Sequence, residues 1–284
     1  MEGYFRLKSK AYKEASYRTS IDLTLTIICT PGLRSSTGKA AEHLERASPD
    51  KLLLPFPEVF NHLLLKLFDR GASFDEILEE AYRERCLPEP IGYFRYLYEP
   101  LIKAISALRM RLPGLKVACY KDPEGVSRTN ALAAYKAALT LYTAISGKVK
   151  VQEWRDLLKE ELESDGDSIE NSVKNIVREY DPFTRVVCMA HLEGRHLYEQ
   201  LRRRIRRIGL RYIGVPYLFT PLEVLKRLIS IKGLSGVPDE TIEEYVKLHV
   251  GYVRDYVIPS KEFDAGYLKW LIKNFKMGAS PPDL

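Results

Sequence analysis

The segment Arg185-Val186-Val187-Cys188-Met189-Ala190-His191-Leu192-Glu193-Gly194 constrains this chain more than any other. A short Val-rich apolar run closes on a small residue, then a lone histidine, then a glycine before a helical pattern that starts at Arg195. An apolar, β-branched run of this length reads as a buried strand. The residue just beyond such a strand stands at its C-terminal end, where α/β folds hold their ligands. His191 is therefore the first candidate for an active-site group. The alternative is a structural histidine satisfied at a strand end.

The same pattern recurs along the chain. Leu23 to Cys29 reads as a strand stopped by Pro31-Gly32, and Ser35-Ser36-Thr37 then caps a helix to Arg46. Lys51 to Leu54 reads as a second strand ended by Pro55, followed by a helix from Pro57 to Asp69. Ser73 with Glu76 forms a capping-box signature for the next helix, and a longer helix from Tyr93 to Arg111 stops at Pro113-Gly114. Leu115 to Cys119 is the third expected strand. From Ser127 to Tyr180 the pattern is helical: Asn130 to Ile145, Val151 to Glu163 and, after the acidic turn Ser164–Ser168, Ile169 to Tyr180. The fourth strand, Thr184 to Met189, feeds a helix from Arg195 to Ile208 that Gly209 caps, and Arg211 to Val215 is the fifth. Three further helices occupy 221–231, 241–253 and 263–275, and the Pro- and Ser-containing end is expected to be mobile.

Strands alternating with helices imply parallel β-α-β units. The expected fold is α/β: a largely parallel sheet of about five strands with a helical insertion and a helical C-terminal appendage. In residue terms, an α/β domain covers 20–215 with its insert at about 127–180, and the appendage covers 216–284.

At 284 residues, 45% hydrophobic and 29% charged, the composition is that of a soluble globular protein. No apolar run reaches the roughly 18 residues that would span a bilayer, and the first residues lack an apolar leader core, so no membrane partner and a cytoplasmic location are expected. Scarce Gln beside abundant Arg, Glu, Lys and Tyr suggests a thermophilic source. The four cysteines form no C-x-x-C pair. Cys29, Cys119 and Cys188 end strands, either as a thiol cluster or as small packing residues.

Two basic features stand out within a net charge of +6. Arg34, Ser35 and Ser36 open a helix after a strand and could hold an anion, though the segment lacks phosphate-loop spacing; ordinary helix capping is the alternative. In the helix 195–208, Arg202, Arg203, Arg206 and Arg207 lie off the apolar stripe Leu197, Leu201, Ile205 and Ile208. That basic face either binds nucleic acid or an acidic protein partner, or pairs internally with Glu193, Glu199 and the acids between Glu153 and Glu170; internal pairing is the expectation. His43 and His62 sit inside helical patterns and read as surface or packing residues.

The order of these elements resembles the TraB/ChaN/erythromycin-esterase-like superfamily. Ser48-Pro49-Asp50-Lys51-Leu52-Leu53-Leu54 looks like its second-strand element, Met189-Ala190-His191-Leu192-Glu193-Gly194 like its late histidine motif, and Glu170-Asn171 like its short Glu/Arg-Asn motif. The resemblance implies a hydrolase-like scaffold with its site at the strand C-terminal ends, acting on an unidentified small-molecule or peptide ligand. His191 would be general base or metal ligand, with Glu58 and Glu170 as carboxylate candidates. The chain departs from the pattern at two places. Cys29-Thr30-Pro31-Gly32-Leu33-Arg34 holds no histidine where the first motif has one, and Pro55 stands where the second strand's carboxylate belongs. The site is therefore expected to be degenerate or rebuilt, with no cofactor and no tightly bound metal. The alternative function is a non-enzymatic binding protein that uses the arginine helix.

Overall fold

The computed structural model describes residues 24–87, 90–214 and 217–276. The expected mobile end, the leader reading and the end of the fifth expected strand lie outside them.

Five parallel strands form one sheet in the order β3-β2-β4-β1-β5. The strands are β1 (Leu25–Cys29), β2 (Lys51–Pro57), β3 (Lys116–Lys121), β4 (Val186–Ala190) and β5 (Ile208–Tyr212). Ile28 pairs with Met189 and Leu54 with Cys119, while Leu53 faces Cys188, so Cys29, Leu54, Cys119 and Met189 share the C-terminal edge. The runs of Val, Ile and Leu exist because both faces are covered. Ile28, Leu52, Leu54, Val187 and Met189 pack under α1 (Arg34–Ala47), α2 (Asn61–Asp69), α3 (Phe74–Arg83) and α4 (Ile91–Arg111). Leu25, Ile27, Leu53, Tyr120, Val186 and Cys188 face the opposite way, toward α6 (Val151–Glu179) and α7 (Gly194–Leu201).

Several boundaries differ from the sequence expectation. Pro55 does not end β2. Its missing N–H falls where the β2–β3 register shifts between Leu54 and Pro57, so the ladder gives way locally and the strand runs on. Ser164–Ser168 is no turn, because α6 is one continuous helix. Its weak helix formers are held from outside: Asp165 accepts from Lys226 at 2.9 Å, and Asp167 from Arg128 at 3.5 Å, so tertiary contacts override propensity. α7 stops at Leu201 rather than Ile208, since the chain must then align Ile208–Tyr212 against Leu25–Cys29. Gly209 is consequently a strand residue opposite Thr26, not a cap. The capping box at Ser73 and Glu76 forms as expected.

The helical insert and the C-terminal helices add to the sheet and pack on each other. Leu132 and Leu139 of α5 (Pro123–Ser146) and Trp154, Leu157 and Leu158 of α6 share one core with α8 (Pro221–Lys232) and α9 (Asp239–Tyr252). The last helix, α10 (Phe263–Lys276), brings Tyr267 and Trp270 onto Leu33 at the entrance to α1. No helix among the described residues is long and apolar enough to cross a membrane.

Candidate functional site

Strand order singles out one point of the C-terminal edge. From β1 the chain moves toward β2, and from β4 it moves the other way, to β5. These two strands are neighbours, so their outgoing segments diverge, and the gap between their C-terminal ends is where such sheets bind ligands. Thr30 closes the end of β1 by donating its N–H to the Ala190 carbonyl at 3.0 Å. His191 is the next residue after β4.

The imidazole of His191 meets Tyr98 of α4 through Nε2. Tyr98 is 6% exposed and its ring packs against Phe56 and Phe94, with both centroids at 4.7 Å, so the phenol has little freedom. Burial holds the His191 pKa below its ordinary value against the pull of Glu193. Burial also drives the Tyr98 phenol well above its usual range. Two neutral groups therefore share one proton. If Tyr98 donates to Nε2, Nδ1 carries the hydrogen; if Nε2 donates, Nδ1 holds a free lone pair. Nδ1 is buried without a hydrogen-bond partner among the described residues.

A carboxylate lies beside it, but not one of those the sequence suggested. Glu193 accepts from Lys121 Nζ at 2.7 Å, with both side chains about three-quarters buried. Burial alone would raise the Glu193 pKa; the Lys121 ammonium and His191 outweigh it and hold the carboxyl at about 2. Lys121 ends β3, so this pair reaches across β2 to the end of β4. Glu193 thus serves Lys121 and not the arginines. Glu58 follows β2 and pairs with Arg178. Glu170 is exposed on α6 and pairs with Lys174 at 2.8 Å. Neither perturbs His191, whose charged neighbours are Glu193 and Lys121. Asn171 donates to Asp122 at 3.2 Å, which in turn caps α5 through the Gly125 N–H, so that pair supports a helix start. Asp50, of the Ser-Pro-Asp element, grips Arg185 at the opposite edge of the sheet.

The cysteines pack. All four are buried and unbridged. Burial and nearby Glu193 push the Cys29 thiol up to about 12, and burial raises Cys188 and Cys119 as well, so none is a ready nucleophile. Gly194 explains the Cys29 contact: a Cβ there would lie 2.2 Å from Cys29 Sγ and 3.0 Å from Ala190 Cβ.

The anion-binding segment at α1 meets an anion from within the chain. Asp264 of α10 accepts from the backbone N–H of Arg34 at 3.0 Å and of Ser35 at 2.8 Å. The Arg34 guanidinium pairs with Glu99 at 2.8 Å and also donates to the Tyr96 carbonyl. That carbonyl lacks its helical partner because Pro100, four residues on, has no N–H. Ser36 is buried under Gly214, where a Cβ would lie 2.2 Å from Ser36 Oγ.

The arginines do not form a helix face. Arg202 to Arg204 make the turn after α7, and Arg206 and Arg207 lead into β5, so they line the N-terminal edge of the sheet, opposite His191. The expected internal pairing is largely missing. Arg202 meets Glu199 at 3.2 Å, but Arg203, Arg204, Arg206 and Arg207 are exposed and make no ion pair among the described residues. The acids expected to neutralise them are engaged elsewhere, Glu161 with Lys136 and Lys226, and Glu153 with Lys150.

Sequence reasoning singles out His191 by position but not Tyr98 and Lys121, which the fold brings to its surroundings. Tyr98 continues the Phe94, Leu97, Leu101 core face of α4, and Lys121 becomes a neighbour only once the strand order is known.

No protein-family model matches the chain, and comparison with curated proteins and with solved structures returns no match.

Proposed function

We propose that this protein is a hydrolase-like α/β scaffold whose strand-end site has been rebuilt around His191. One observation carries the reading: a neutral, buried imidazole stands at the C-terminal ends of β1 and β4 with the buried Glu193–Lys121 pair beside it. Burying charges costs free energy that an apolar core would not incur, so such a group at a ligand-binding edge favours chemistry over packing. His191 is the base, Tyr98 orients it, and Glu193 with Lys121 sets the local field. Glu58 and Glu170 have no part. The resemblance to the TraB/ChaN/erythromycin-esterase-like superfamily supports the same location for the site. The test is turnover of ester, amide and phosphate-ester substrates by the full chain. His191→Ala should lower any activity by about 100-fold or more, the scale of a lost general base. Wild-type turnover no higher than that of His191→Ala would reject the reading.

A second reading rests on Arg203, Arg206 and Arg207, which are exposed and make no ion pair among the described residues. Exposed guanidinium groups without an ion pair among the described residues favour a phosphate backbone or an acidic partner. Nucleic-acid affinity should fall steeply with salt, and Arg203→Glu with Arg207→Glu should weaken binding about equally for every sequence, because phosphate contacts carry no sequence information. Absence of binding at low salt would remove this reading.

A further inference from the structure

A second group of donors stands at the same edge of the sheet, away from His191. β2 ends in a short turn, Glu58–Phe60, and α2 begins at Asn61, whose side chain accepts the Cys119 N–H at 2.7 Å and ties α2 to β3. His62 follows. Its Nδ1 lies 2.5 Å from the Val59 carbonyl, an acceptor only, so Nδ1 carries the hydrogen. In the neutral ring Nε2 then presents a lone pair to Glu84, whose carboxylate oxygens lie at 3.1 and 3.4 Å. Lone pair against carboxylate is repulsive unless a cation or proton lies between them.

A third donor converges on the same point. Glu80 precedes Glu84 by one helical turn, and the ligand atoms of His62, Glu80 and Glu84 all lie within 4.8 Å of one another. Ligands about 2.1 Å from one ion are spaced on that scale. A histidine whose other nitrogen is fixed by a backbone carbonyl is also the usual arrangement behind a bound metal. The cluster opens on a cavity of about 440 Å³ lined by Val59, His62, Glu84, Arg85, Cys86 and Pro123. Val59 follows β2 and Pro123 follows β3, so the cavity lies beyond strand C-termini, and the 7% exposed Cys86 adds a thiol to its wall.

We propose that His62, Glu80 and Glu84 bind one divalent transition metal of zinc's class, with a remaining coordination position turned to this cavity. Imidazole with carboxylates suits zinc, cobalt or iron, and an open fourth position is the mark of a reactive site rather than a structural one. Lys66 competes, because its ammonium pairs with Glu80. The sequence expectation of no tightly bound metal rests on the positions around His191, and there His62 reads as a surface or packing residue.

The experiment titrates the full chain, stripped of metal by chelation, with cobalt(II) followed by absorption, and then displaces the cobalt with zinc. One saturable equivalent is expected. His62→Gln and Glu84→Gln should each weaken binding at least tenfold, while Lys66→Gln should tighten it several-fold by freeing Glu80. Circular dichroism establishes that each variant is folded. The proposal falls if no saturable binding occurs, which leaves His62 and Glu84 as a plain surface contact, or if affinity survives both ligand substitutions. A Lys66→Gln protein that binds no tighter would remove Glu80 from the site.

Discussion

Gly194→Ala is expected to cost about 3 kcal/mol, the upper range for overpacking a filled core. The added methyl would sit 2.2 Å from Cys29 Sγ, 3.0 Å from Ala190 Cβ and 3.3 Å from Ile27 Cγ2. These neighbours belong to strands in register, so relief requires moving α7 away from β1 and β4. Alanine's better helix propensity opposes the loss by at most ~1 kcal/mol, less than the clash. The contact with Cys29 makes the prediction specific. Cys29→Ala removes the nearest atom, so the double variant should recover about 1 kcal/mol relative to the sum of the single changes, as coupled neighbours do. Urea midpoints for the four proteins measure this. A Gly194→Ala protein as stable as the parent would show that α7 docks differently from the packing described.

The inner strands are legible because both faces of this sheet are covered, which leaves Val, Ile and Leu runs that few other structures produce; the partly exposed edge strand Ile208–Tyr212 has no such run and lies three residues before the expected Arg211–Val215. Helix limits were less legible because they depend on partners distant in sequence. Ser164–Ser168 has the composition of a turn, yet it stays helical because Lys226 and Arg128 hold its acids. The arginine stretch has helical spacing, yet it unwinds because β5 must match β1 from Ile208 onward. Local propensity is a fraction of a kcal/mol per residue, and strand register or ion pairs can decide against it.

The site divides in the same way. A histidine after a strand can be recognised locally, and so can a helix start able to hold an anion. What fills or surrounds them is set by topology. Lys121 and Glu193 are 72 residues apart and meet only because β3 and β4 flank β2. Asp264 reaches the start of α1 from 230 residues away, so the anion there is intramolecular. That contact also explains why Arg34 and Ser35 resemble a phosphate loop without its spacing: their amides need only two carboxylate oxygens.

Acid is expected to weaken the fold in two stages, the first of which begins near neutrality. Burial among α5, α6 and α9 holds His249 at about 4, reinforced by Lys136 and opposed by Glu161, and its Nδ1 has no hydrogen-bond partner among the described residues. Its ring meets Trp154 edge-on at 6.3 Å. In the unfolded chain the same group takes a proton near pH 6.5. Between about 6.5 and 4 the unfolded state therefore binds more protons, and stability falls as pH falls. His191, lowered by burial, acts in the same direction. The second stage belongs to the carboxylates. Glu193 is held at about 2 by Lys121 and His191 despite its burial, and Glu99 at about 2 by hydrogen bonds from Lys103 and Arg34. Their stabilisation is complete above about 4.5 and disappears as pH drops toward 2. From pH 7 to 4.5 the histidines dominate, and the loss should be about 2 kcal/mol, read as a shift in the urea midpoint at unchanged slope. His249→Phe keeps a ring against Trp154 and removes the titration, so it should flatten most of that first stage while leaving the second intact. A parent protein with the same midpoint at both pH values would mean that His249 is solvated in the folded state, and that α5, α6 and α9 do not close around it.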